Sequence, residues 1–218
     1  MLQAKHLSSR GAQVRLCRRV LYAPMRTFSS LKTPFTADVD PCTGLCADGS
    51  VRIAACDNSS KGLGAFAVRS LHIHQEVGRY EGEVITLADL INRYGGGGFD
   101  EVDEYEQANA QAAWINERAS RGVGVTGHYL FNVGKCPTTR RTLLVDAEDY
   151  AQANWTRYLN HSAKRANLVA EREVVPSPDG KLGEPIVRFI VQAPIEPGDE
   201  LLFDYGDGFD IDLMGFEE

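Results

Sequence analysis

The chain has 218 residues and 24.0 kDa, with 43% hydrophobic and 24% charged residues. That is the make-up of a globular protein large enough to bury its own core. No apolar run approaches the roughly 18–20 residues that span a bilayer. Five Cys without a CxxC pair argue against a disulfide scaffold or a four-Cys zinc site.

The net charge of −7 is unevenly spread. The first 37 residues hold seven basic and no acidic residues; the rest holds sixteen basic against thirty acidic. So acidic a body lacks the clustered Lys and Arg that phosphate contacts need. It suits a basic protein or peptide partner, with no direct nucleic-acid binding and no membrane. Within residues 1–37, Val14, Cys17 and Leu21 fall on one helical face, and Arg15, Arg18 and Arg19 largely on another. Such an Arg-rich, acid-free amphipathic segment reads as a mitochondrial or plastid transit peptide. The same composition fits a disordered basic tail.

Residues 38–50, rich in Thr, Gly and Asp, read as a linker. Val51–Ala55 is a short strand candidate. Ser59 to Val68 is a glycine-rich turn running into a strand, and Tyr80–Ile85 a strand with turn residues inside it. Leu87–Tyr94 reads as a helix stopped by four glycines, Gly95 to Gly98. The spacing of Val102, Tyr105, Ala112, Ile115 and Ala119 predicts an amphipathic helix over Phe99–Ala119, with those residues on its apolar face. Strand patterns then return at Tyr129–Val133, Thr142–Asp146, Leu168–Val174, Ile186–Ala193 and Glu200–Tyr205. There is no regular alternation of strand and helix, so a doubly wound parallel sheet is not expected. The expectation is a mostly β fold with one helical insert, about residues 87–122.

Three stretches carry possible chemistry. Gly62-Leu-Gly-Ala-Phe66 offers backbone that a ligand can approach closely. It is neither a Walker loop nor a dinucleotide fingerprint, because no Gly-Lys-Ser/Thr and no helix follows. Arg157-Tyr-Leu-Asn-His-Ser162 sets Asn160 and His161 side by side as donors and acceptors. Adjacent Ser and His side chains diverge, and no Gly-x-Ser-x-Gly elbow exists, so a nucleophile pair does not fit. Glu200-Leu-Leu-Phe-Asp-Tyr-Gly206 ends an apolar strand on a Tyr that can orient a substrate or exchange a proton.

Together and in this order, with Asp146-Ala147 before the second stretch, these motifs resemble the SET-domain protein-lysine methyltransferase family, over about Arg52 to Phe209. The resemblance implies small curved β-sheets with a C-terminal pseudoknot, a SET domain over residues 51–210, and a tail at 211–218. It implies S-adenosylmethionine as cofactor and a lysine of a basic protein, histone or not, as acceptor. Gly62, Leu63, Gly64, Ala65, Arg157, Asn160, His161 and Tyr205 would bind the cofactor. Tyr205 would be the catalytic tyrosine, and Tyr129, Phe203 and Tyr205 would line the substrate channel. Phe at 203 would leave room for a second or third methyl. No metal is implied: the usual Cys after the Asn-His pair is absent, and Ala163-Lys-Arg-Ala-Asn167 stands there. A catalytically silent module that binds a partner is the rival. Targeting would place the protein in an organelle, and a histone substrate in the nucleus.

Overall fold

The computed structural model describes residues 35–58, 61–94, 104–179 and 181–206, with no side chains described for 104–107. The chain divides after Thr33, and the unit that begins at Pro34 is described by itself. Residues 1–34 of the expected basic segment, the four-glycine stretch and the C-terminal tail lie outside the described residues; Phe35 and Thr36 at the end of that segment pack with the fold.

The described residues of the unit form ten short strands, two α-helices and a 3-10 turn at Trp155–Tyr158. The strands are β1 Val51–Ala55, β2 Leu63–Ala67, β3 Glu76–Arg79, β4 Glu83–Thr86, β5 Leu130–Lys135, β6 Thr142–Asp146, β7 Asn160–His161, β8 Leu168–Val175, β9 Glu184–Val191 and β10 Leu202–Phe203; the helices are α1 Leu87–Tyr94 and α2 Glu104–Ser120. They form three sheets: β1-β2, β4-β6-β5, and β3-β9-β8-β10-β7. Several small sheets with few helices is the mostly β fold expected from the sequence.

Alternation explains most strands. Val51 and Ile53 of β1 point inward while Arg52 faces solvent, and Val187, Phe189 and Val191 of β9 do the same. β6, central in its sheet, is buried from Leu143 to Asp146, as a strand covered on both faces must be. The shared core runs through Val51, Ile53, Leu71, Leu168, Phe189 and Phe203.

The last strand decides the site. β10 lies between β7 and β8 and pairs parallel with both, Leu202 opposite Asn160, and Phe203 opposite His161 and Leu168. Ser162 N–H donates to Phe203 O and Asn167 N–H to Leu202 O, so the intervening loop brackets the C-terminal strand. β10 is shorter than the expected Glu200–Tyr205: β7 offers only two residues to pair with, and β8 meets β10 only at Leu168. β3 carries no alternation in Glu76-Val-Gly-Arg79; pairing with β9 makes it a strand.

Two expectations are corrected. Residues 38–50 are not a linker. Asp40 closes a turn by accepting from the Cys42 and Thr43 N–H groups at 2.7 and 3.1 Å, Val39 bridges Cys46, and Asp38 accepts the Trp155 N–H at 3.1 Å. Val39 and Cys46 join the core. The Asp, Thr and Gly that resemble linker composition are turn chemistry here.

Nor does α2 bury the expected face. Ala112, Ile115 and Ala119 are exposed, while Gln111, Trp114 and Arg118 turn inward, Arg118 being 1% exposed. The reason is charge. Arg118 donates to Asp146 at 3.0 Å and Glu83 at 3.3 Å, and stacks on Trp114 at 4.7 Å. Buried ions need such partners.

Candidate active site

β2 starts where Gly62, at φ +69°, turns the chain out of the left-handed region that glycine favours. A Cβ on Gly62 would meet no atom of the described residues within 4 Å, so among them this backbone is open to approach. Gly64 differs: a Cβ there would lie 2.7 Å from Cys56 Sγ, 2.9 Å from Glu200 Oε1 and 3.1 Å from Asn160 Nδ2. Hydrogen here lets three side chains close over the strand.

Asn160 makes that closure. Its Nδ2 lies 2.9 Å from Glu200 Oε1, 3.2 Å from Leu63 O and 3.2 Å from Cys56 Sγ. Burial pushes the Cys56 thiol up to about 11, with the Glu200 charge adding to it. Lys61 places its ammonium 3.3 Å from His161 O, in the same corner. Next to Asn160, His161 accepts the Tyr205 N–H on Nδ1 at 3.1 Å. A ring nitrogen that accepts carries no proton, so a neutral His161 is the Nε2–H tautomer. His161 and Tyr205 rings sit 5.1 Å apart. Contacts therefore run without a break from Leu63 through Asn160 and His161 to Tyr205.

Tyr205 donates its hydroxyl to Leu159 O at 2.8 Å. Burial, then the nearby Tyr129, raise its pKa well above the ordinary tyrosine value. The hydroxyl stays protonated, and with its hydrogen committed to Leu159 it presents lone pairs. Phe203 packs 4.5 Å from Tyr205, and Phe131 stacks on Phe203 at 6.0 Å. Tyr80 stands 5.4 Å from Phe131 and donates its hydroxyl to Tyr129 O at 2.8 Å. A cleft lined by Phe131, Leu168, Ala170, Arg172, Asp204 and Tyr205 opens beside this cluster.

Of the residues named from sequence, Leu63, Asn160, His161, Phe203 and Tyr205 are joined by contacts, and Gly64 provides the room. Gly62, Leu63, Gly64 and Ala65 do not line the cleft beside Tyr205. Arg157 has partners of its own among the described residues. It lies over the Tyr129 ring at 4.0 Å and donates to Glu148 O at 3.1 Å. Tyr129 thus has a cation on its ring and contributes its carbonyl to Tyr80. Sequence reasoning missed Tyr80, Phe131, Glu200 and Cys56. Tyr80 stood in plain view before the Glu81-Gly82 turn, but nothing local shows that β9 and β5 carry Phe189 and Phe131 to it.

A family model described as SET domain matches residues 62–206. Among solved structures, the chain is similar to one in the polycomb repressive complex 2 of Chaetomium thermophilum, with 23% identity over 73% of this chain and 16% of that chain and a TM-score of 0.47. It is also similar to CpSET8 of Cryptosporidium, with 21% identity over 72% of this chain and 57% of that chain and a TM-score of 0.45. The chain thus spans less than two thirds of either. No curated protein sequence matches it. Because the family match takes in more than half of the chain, from the glycine turn to Gly206, this protein belongs to the SET domain family.

Proposed function

We propose that the chain transfers methyl groups from S-adenosylmethionine to a lysine side chain of a basic protein. The observation that carries the reading is the unbroken run of contacts from Leu63 through Asn160 and His161 to the buried Tyr205 hydroxyl.

The donor set fits the amino-acid end of such a cofactor. Lys61 supplies a cation for a carboxylate. Asn160 Oδ1, which no described residue donates to, supplies an acceptor for an ammonium. The backbone at Gly62 is open to a close approach. When bound, the cofactor supplies a methyl group on a sulfonium.

The chain's own residues supply the rest. A lysine amine attacks only when neutral, and its ordinary value is about 10.4. Walls built of Tyr80, Phe131, Phe203 and Tyr205 strip water from the incoming ammonium and favour the neutral amine. The same walls hold the lysine stem in line, which is an orientation effect. The Tyr205 hydroxyl cannot serve as a base while protonated. Its lone pairs accept weak C–H···O contacts or an amine N–H, and so aim the nucleophile.

Incubation with labelled cofactor and Lys-rich protein acceptors tests this. Wild type should label an acceptor, and Tyr205→Phe should lower the rate by about 10²-fold, the scale of losing one preorganised contact. No transfer from wild type, or full transfer by Tyr205→Phe, overturns the reading; cofactor binding without transfer indicates a silent module instead. We further propose that residues 1–37 direct the protein to an organelle, which makes its substrate an organellar protein. A fluorescent reporter fused to these residues should be imported, and a nuclear signal would restore histone as the candidate.

A further inference from the structure

The cluster beneath the glycine turn contains a carboxylate that the reaction itself does not use. We propose that Glu200 is a positioning residue that fixes which way the Asn160 carboxamide faces, so that Oδ1 points at the cofactor's ammonium. This rests on the methyltransferase reading.

A carboxamide can sit in two orientations related by a flip, and its neighbours decide between them. Asn160 Nδ2 faces Glu200 Oε1 at 2.9 Å and Leu63 O at 3.2 Å. A carbonyl and an ionised carboxylate only accept. The flipped amide would put Oδ1 against two acceptors and lose both hydrogen bonds. Cys56 alone does not decide, because its thiol both donates and accepts: it donates to Glu200 Oε1 at 3.4 Å and receives from Asn160 at 3.2 Å. Without Glu200 the thiol is released to donate to a flipped Oδ1, and only Leu63 O opposes the flip.

Glu200 is itself held. It bridges Phe66 of β2, its carbonyl accepts the Asn167 Nδ2 at 2.8 Å, and the next N–H, of Leu201, donates to Ala65 O at 2.8 Å. Gly64 completes the arrangement, since a Cβ there would stand 2.9 Å from the Glu200 carboxylate.

Calorimetry with S-adenosylhomocysteine and its analogue lacking the α-amino group reads the orientation directly. Wild type should prefer the amino compound by about tenfold, the scale of one hydrogen bond to a charged group. Glu200→Ala should reduce that preference below about threefold while binding the deaminated analogue as wild type does. Glu200→Gln, which keeps an acceptor oxygen but no charge, should restore it. A Gln variant as indifferent as the Ala variant assigns the preference to charge and overturns the proposal. An Ala variant with full preference overturns it while the methyltransferase reading stands. A wild type that binds neither compound overturns both. Should Glu200→Ala not fold, the Asn160 carboxamide protons of wild type decide by NMR: slowed exchange is expected, and exchange at the rate of a free amide overturns the proposal.

Discussion

Phe203 is fixed on three sides, by Phe131 at 6.0 Å, Phe189 at 4.9 Å and Tyr205 at 4.5 Å. On the methyltransferase reading, a hydroxyl at its ring tip would take space beside Tyr205 that a substrate amine would need. Phe203→Tyr should therefore shift the product toward monomethyl-lysine, and wild type should build di- or trimethyl-lysine, both read by mass spectrometry. Strictly monomethyl product from wild type would refute the role of Phe203. Gly64 makes a sharper case. A methyl group there meets Cys56, Glu200 and Asn160 within 3.1 Å, so Gly64→Ala should weaken cofactor affinity at least about tenfold, as one hydrogen bond to a charged group is lost. Unchanged affinity by calorimetry would show that the three side chains move aside freely.

Among elements, the helical insert shows how a charge, rather than an apolar stripe, seats a helix. Arg118 of α2 reaches Asp146 of β6, which also accepts the Tyr94 hydroxyl of α1 at 2.8 Å. Arg93 of α1 pairs with Glu83 of β4 at 2.5 Å. Arg118→Ala leaves Asp146 as an uncompensated buried charge, and thermal or urea unfolding should show a loss of about 3–5 kcal/mol. An effect below about 1 kcal/mol would mean that the network is hydrated and contributes as a surface pair does. The start of α1 is a capping box: Thr86 Oγ1 accepts the Asp89 N–H at 3.2 Å, and Asp89 accepts the Thr86 N–H at 2.8 Å. This local device was written in Thr86-Leu-Ala-Asp89, and helix α1 has the bounds the sequence predicts. The bounds of α2 were partly legible and its buried face was not, because Arg118 reads as surface until Asp146 is placed beneath it.

At the scale of the whole molecule, the buried tyrosine hydroxyls set the alkaline limit. Burial raises Tyr80, Tyr94 and Tyr205 above the ordinary value, helped at Tyr94 by the Asp146 charge. A group whose pKa is raised by folding stabilises the fold below its unfolded value and loses that contribution as pH climbs through the folded one. Stability should fall from about pH 10 upward, and a circular-dichroism titration that stays flat to pH 12 would contradict the burial. The acid side has the opposite sign. Burial pushes Asp149 up, but Arg121 and the Ala151 N–H outweigh it and hold the carboxyl below the usual range. That contribution is present above about pH 4 and lost as pH falls through the lowered value.

The sequence by itself determined the mostly β class, most strand positions, and the residues that meet at the centre: the turn at Gly62, the Asn160-His161 pair and Tyr205. Alternation, turn chemistry and motif spacing act over a few neighbouring residues, so one chain read in order displays them. Tertiary structure alone decided that Glu200 faces Asn160, that Arg157 covers Tyr129, that residues 38–50 pack instead of linking, and that Arg118 lies inside. Each of those outcomes turns on a polar or charged group finding its complement far along the chain, 40 residues away for Asn160 and Glu200 and 117 for Asp38 and Trp155. Burial of such a group is unfavourable until the partner arrives. No local pattern marks it, and the fold has to bring the two together before either side chain's place is defined.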